Sequence, residues 1–138
     1  MSKWDEHFMF IAEDAANRLS HAKKLKVGAV AVRDNRPFCE GFNGTPPGFP
    51  NECEDFEGNT YDSVIHAEMN LVLYAAKHGI SLKDSTLYTT HAPCISCAVA
   101  IHGAGVTKVV YKNDYKKEDG LLFLREAKVK LVKFRLLH

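Results

Sequence analysis

The stretch KVVYKNDYKKEDGLLFLREAKVKLVKFRL, residues 108–136, decides the fold. Lys108 to Tyr111 reads as a short buried strand. Val129 to Leu136 mixes apolar and basic residues in the largely alternating way of a strand with one solvated face. Between them, Glu118 to Lys128 reads as a helix. A helix joining two strands makes the long crossover that a parallel pair requires, whereas a tight turn would make them antiparallel. The last two strands are therefore expected to run parallel.

Working back toward the N-terminus, Thr86 to Thr90 is a further strand, and Pro93 suits the first position of a helix running to about Gly103. Val64 to Lys77 reads as a helix closed by Gly79. Val27 to Arg33 and Pro37 to Phe42 form a hairpin about an Asp34-Asn35-Arg36 turn. Trp4, Phe8, Ile11, Ala12, Ala15 and Leu19 recur at three- and four-residue steps, the stripe of an amphipathic helix. The order α-β-β-α-β-α-β-α-β predicts a three-layer α/β/α sandwich around a five-stranded mixed sheet. Asn43 to Ser63 is polar and rich in Gly, Pro and Asn, a loop long enough to be functional or mobile.

Length and charge narrow the classes. The 138 residues fit one domain, 1–138, and 46% hydrophobic with 25% charged residues excludes disordered and collagen-like chains. No apolar run has the roughly 18–20 residues of a membrane span, and the opening residues lack a signal peptide's apolar core. A cytoplasmic location is expected, the host cytoplasm if the chain is viral. Net charge is +1, so no general phosphate-binding excess argues for nucleic acid. The charge is uneven, −4 over residues 1–107 against +5 over 108–138. Much of the excess lies in Lys128 to Arg135, read as an edge strand guarded by lysines because no stacking aromatics interleave with them.

Four cysteines stand at 39, 53, 94 and 97, and without an export signal the Cys94-x-x-Cys97 pair reads as metal or redox. His66 lies near the start of one predicted helix and the two cysteines open another, giving three donors that suit zinc and leave the fourth tetrahedral position open. A helix N-terminus favours the thiolate form of both cysteines. Glu68, two residues from His66, is either a fourth ligand or a proton carrier beside a metal-activated water. Cys39 reads as a small strand hydrophobe. No His lies between Cys53 and His66, so one zinc per chain is expected. His91 reads as a loop residue, and His7, His21, His78, His102 and His138 as surface or helix-face residues. Lys24 and Lys26, ahead of the first strand, are either a source of positive potential for a phosphate or ordinary solvated lysines.

The order His66-Ala67-Glu68 … Pro93-Cys94-x-x-Cys97 resembles the signature of zinc nucleobase deaminases. Over nearly its whole length the chain resembles the deoxycytidylate (dCMP) deaminases. The residues that carry this are Val27 to Val30, Gly41-Phe42-Asn43-Gly44-Thr45-Pro46-Pro47-Gly48, Val64 to Asn70, Leu87 to Cys94, and Ala104-Gly105-Val106. Phe42 stands where that family commonly has Tyr.

The resemblance implies a cytidine deaminase-like fold, Zn²⁺ on His66, Cys94 and Cys97, and Glu68 as proton carrier. It implies water attack at C4 of dCMP, giving dUMP and ammonia. It also places Asn43 at the deoxyribose and Tyr115 near the nucleotide. It further implies a homo-oligomer, a hexamer, activated by dCTP and inhibited by dTTP with Mg²⁺, supplying dUMP for thymidylate synthesis. The loop Thr45 to Pro50 suits an effector sensor. A dual dCMP/dCTP deaminase, an RNA adenosine deaminase and a structural zinc module are the alternatives. Tetrameric free-cytidine deaminases fit less well, having Cys where His66 stands. A thioredoxin-like redox protein would lack the upstream His-Ala-Glu.

Overall fold

Ser2 caps the first helix, its hydroxyl accepting the Asp5 N–H at 3.2 Å while the Asp5 carboxylate returns to the Ser2 N–H. The computed structural model describes residues 1–136. Its elements are α1 (Lys3–Leu19), β1 (Gly28–Arg33), β2 (Arg36–Phe42), α2 (Ala67–His78), β3 (Thr86–His91), α3 (Ile95–Gly103), β4 (Lys108–Asn113), α4 (Asp119–Glu126) and β5 (Lys130–Lys133). The expected element order is found in full.

The five strands lie in the order β2-β1-β3-β4-β5. The β1–β2 and β1–β3 pairs are antiparallel, and the β3–β4 and β4–β5 pairs are parallel, with Lys108 opposite Lys130 and Tyr111 opposite Lys133. The parallel close predicted from residues 108–136 is thus present. Asp34 and Asn35 both take left-handed backbone (φ 55° and 56°), the turn that matches the twist of the β1–β2 hairpin.

Strand alternation sorts the core into two layers. Val30, Val32, Tyr88 and Val110 face α1 through Phe8, Met9 and Ala12. Ala29, Ala31, Leu87 and Val109 face the other helices through Leu71, Ala75, Ala98, Ile101 and Leu124. Helix α1 lies close on β1 because Gly28 has no side chain: a Cβ there would run into the Ala12 carbonyl. That approach turns Ala12, Ala15 and Ala16 inward. Trp4 and Leu19, expected in the buried stripe, sit at its ends and are 45% and 44% exposed.

Three further boundaries differ from expectation. Helix α2 starts at Ala67, because Ile65 pairs with Gly44 instead (N–H to O 2.8 and 3.1 Å), and this bridge keeps the β-branched Val64-Ile65 pair out of the helix. Pro93 precedes α3: Cys94 is its N-cap, with extended backbone, and its carbonyl accepts the Ala98 N–H at 2.9 Å. Strand β5 stops at Lys133, and its expected continuation to Leu136 is without regular pairing beyond the Phe134 N–H to Tyr111 carbonyl bond. His138 lies outside the described residues. The 43–63 loop folds back on itself, with Glu54 bridging Thr60 and Cys53 buried beneath it.

Candidate active site

Helices α2 and α3 aim their N-termini at one point beyond the C-terminal end of β3. His66 caps α2 and Cys94 caps α3, and Glu68 and Cys97 lie in the first turns. The donor atoms of His66, Cys94 and Cys97 lie within 4.8 Å of one another. The His66 Nδ1 is 3.4 Å from the Cys94 Sγ and 3.6 Å from the Cys97 Sγ. A tetrahedral zinc with Zn–S near 2.3 Å and Zn–N near 2.0–2.1 Å holds such atoms about 3.5–3.6 Å apart. The cradle therefore fits the ion, with Nδ1 as the histidine donor. Glu68 is not in this mutually close set, which favours proton carriage over ligation.

Glu68 is 4% exposed. Burial raises its carboxyl to about 7, a rise moderated by hydrogen bonds from Thr89 and Cys97. The Thr89 Oγ1 is 3.2 Å from Glu68 Oε1. Burial, then the nearby Glu68 and Cys94, push the Cys97 thiol far up, and a cation in the cradle reverses that.

Beside this group opens a cavity of about 630 Å³ that Glu68, Asn43, Tyr115 and Lys24 all reach. Asn43 is tied into the 20–27 segment: its Oδ1 accepts the Val27 N–H and the Ser20 hydroxyl, both at 2.8 Å, and its Nδ2 donates to the Leu25 carbonyl at 2.7 Å. Burial, then the thiols, raise the Tyr115 phenol, so it stays a proton donor. Lys24 lines the cavity, whereas the Lys26 ammonium donates to the Ser20 carbonyl at 2.5 Å. Sequence reading missed Lys116 and His91, which also line the cavity; His91 closes β3 and is not a loop residue. It directly precedes Ala92-Pro93, but its sequence neighbours do not show that it lines the cavity; its pairing with Asn113 across β3 and β4 places it there.

Gly120 in α4 backs the cysteine segment, and a Cβ there would meet the Pro93 carbonyl oxygen and the Cys94 carbonyl group. Gly120→Ala is expected to cost about 1–3 kcal/mol, lower Tm by roughly 5–10 °C and reduce bound zinc. Gly103→Ala, with open space around it, should leave both unchanged or slightly improved. Calorimetry and metal analysis on the two variants check this, and equal behaviour would refute the packing argument.

A two-helix cradle of His and paired Cys with a buried Glu, set on this sheet, defines a zinc-binding deaminase domain. The cytidine and deoxycytidylate deaminase zinc-binding region matches residues 2–113, and the chain belongs to that family. It is 33% identical to a deoxycytidylate deaminase of Saccharomyces cerevisiae over 95% of its length, spanning 45% of that relative. It is 36% identical to a deoxycytidylate deaminase of Mycobacterium phage D29, covering 80% of this chain and 95% of that one. Among solved structures, the dCMP deaminase of cyanophage S-TIM5 in complex with dCMP and dUMP superposes with a TM-score of 0.92 at 39% identity, covering 97% and 99% of the two chains. Among the described residues, no helix is long and apolar enough to cross a membrane.

Proposed function

We propose that residues 1–138 act as one deaminase unit that converts dCMP and water to dUMP and ammonia. The observation that carries this is the buried Glu68 beside the His66–Cys94–Cys97 cradle at the floor of a nucleotide-sized cavity. The match over nearly the full length of both chains to a dCMP deaminase supports the substrate.

Zinc, when bound by His66, Cys94 and Cys97, supplies the Lewis acidity that makes water a nucleophile at neutral pH. Glu68 carries the protons. It takes one from the water as oxygen adds to C4 and passes it to N3. It takes the second from the new C4 hydroxyl and passes it to the amino group, which leaves as ammonia while the C4 carbonyl forms. Both water protons are thereby placed, one on N3 of dUMP and one on ammonia. Asn43 keeps a second Nδ2 hydrogen for the deoxyribose, and Tyr115 offers its ring and hydroxyl to the nucleotide. Lys24 and Lys116 face the phosphate. Lys26 adds positive potential from behind while it holds the Ser20 carbonyl.

Family resemblance supports the rest of the reading: a cytoplasmic hexamer, activated by dCTP, inhibited by dTTP with Mg²⁺, that feeds thymidylate synthesis. Ammonia release from dCMP, dCTP, deoxycytidine, cytidine and an adenosine-containing RNA hairpin tests the function. Selective turnover of dCMP is expected, and turnover of the hairpin alone would overturn it. In the same assay Lys24→Ala should raise KM for dCMP roughly tenfold and leave deoxycytidine unchanged, the loss of one charge-assisted hydrogen bond to phosphate. Lys26→Ala should have the smaller effect on KM.

A further inference from the structure

His91 sits at the end of β3 with its ring on the cavity, and three backbone bonds hold it still. The Thr89 hydroxyl shares its one hydrogen between the His91 carbonyl at 2.9 Å and Glu68 Oε1 at 3.2 Å, the Ala92 N–H donates to the Asn113 carbonyl at 2.8 Å, and the Asn113 side chain donates to the Thr90 carbonyl at 2.7 Å. The ring itself is held by Thr90, whose Oγ1 is 2.8 Å from His91 Nδ1.

The tautomer follows from counting hydrogens. The Thr90 hydroxyl has one hydrogen and two lone pairs, and one lone pair receives the Gly28 N–H at 3.1 Å. If Nδ1 carried the ring proton, it would donate to the same oxygen and strand the hydroxyl hydrogen. Thr90 is 4% exposed, and among the described residues its hydroxyl meets Gly28 and His91 alone. The satisfied arrangement sends the Thr90 hydrogen to Nδ1 and leaves the proton on Nε2. Burial lowers the ring's proton affinity, which keeps it in the neutral state that this bond requires.

Resting on the functional reading above, we infer that His91 is a specificity-determining residue. Fixed by Thr90 as the Nε2–H tautomer, it offers the nucleotide one neutral hydrogen-bond donor. The acceptor is an oxygen of the substrate, on the pyrimidine ring or on the phosphate. A neutral donor selects by geometry and does not add to the charge that Lys24 and Lys116 already supply. The group is not among the donors of the metal cradle, so its effect falls on binding and not on the ion.

The test has a spectroscopic and a kinetic arm, both on the zinc-loaded full chain. Two-bond ¹H–¹⁵N correlation of histidine-labelled protein, assigned by loss of the signal in His91→Leu, should place the proton on Nε2. His91→Leu should raise KM for dCMP and Kd for dUMP about tenfold with kcat changed less than about twofold, the worth of one neutral hydrogen bond. His91→Gln, whose amide N–H reaches close to the position of ring Nε2, should recover most of that loss and guards against a Leu variant that fails to fold. An equal loss with deoxycytidine assigns the donor to the nucleoside, and no loss with deoxycytidine assigns it to the phosphate. A proton on Nδ1, or unchanged KM and Kd in well-folded His91→Leu, would overturn the inference. A wild-type protein that neither binds dUMP nor turns over dCMP would overturn the functional reading, and this inference with it.

Discussion

Glu68→Gln lowers kcat for dCMP by about 10³–10⁴-fold, with bound zinc, Tm and dUMP affinity close to those of the parent chain. The amide is nearly isosteric with the carboxylate, and it retains an oxygen for the Thr89 hydroxyl that lies 3.2 Å from Glu68 Oε1. It cannot take a proton from water or give one to N3 or to the departing amine. The change thus removes proton carriage while leaving the shape of the floor intact. Burial raises the metal-free carboxyl to about 7, and a cation in the cradle would draw it back down, toward the ionised form that the proposed proton transfer from water requires. Ammonia release, metal analysis and a melting curve on the same preparation read all three quantities. Turnover within tenfold of the parent would move the proton carrier elsewhere, and a structural zinc module would show no turnover in either protein.

Cys97→Ala is expected to take bound zinc from about one per chain to near zero and to abolish turnover, a loss beyond about 10³-fold. Cys97 is 2% exposed, in the first turn of α3, and 3.6 Å from the His66 Nδ1, so no solvent ligand reaches its place without moving the helix. Melting should fall by only a few degrees. The two core layers are built from Phe8, Met9, Leu71, Leu87, Ile101 and Leu124, all 1% exposed or less and none of them a metal ligand. Chelation of the parent chain should reproduce the phenotype, and added zinc should restore the parent alone. Full zinc content in Cys97→Ala would refute the assignment. A parent stoichiometry near two would point to a second site, with Cys53 as the first residue to inspect.

Much of the architecture was legible because the local signals and the tertiary structure agree. Alternation in β1 alone separates Ala29 and Ala31 from Val30 and Val32, and these do face opposite helical layers. The α4 segment between β4 and β5 announced a parallel pair. Signals failed where a contact distant in sequence decided the outcome. The local pattern extends the helix to Val64 and Ile65, but Gly44, over twenty residues earlier, pairs with Ile65. Periodicity places Trp4 and Leu19 in the buried stripe, but the close approach of Gly28 to Ala12 turns the alanine face of α1 inward. The cradle residues were legible because their spacing and chemistry are local. The cavity wall was not: nothing local to His91 or Lys116 shows that they share an opening, and only the adjacency of β3 and β4 brings them together.

The cradle and the wall of the cavity belong to different parts of the chain. His66, Glu68, Cys94 and Cys97 ride on α2 and α3, while Tyr115 and Lys116 belong to the short β4–α4 connection. One end of that connection is pinned where Asn113 pairs with His91 in the β3–β4 ladder, the other by Gly120 against the Pro93-Cys94 backbone. The segment between these two pins is a cassette. On the proposed function, exchanging residues 115–118 would reshape this opening while leaving His66, Cys94 and Cys97 in place. A graft that places a side chain at Gly120 would instead press on the Pro93-Cys94 backbone behind the cradle. Evolution of a new substrate range on this scaffold, or its redesign, has a marked starting point and a marked boundary.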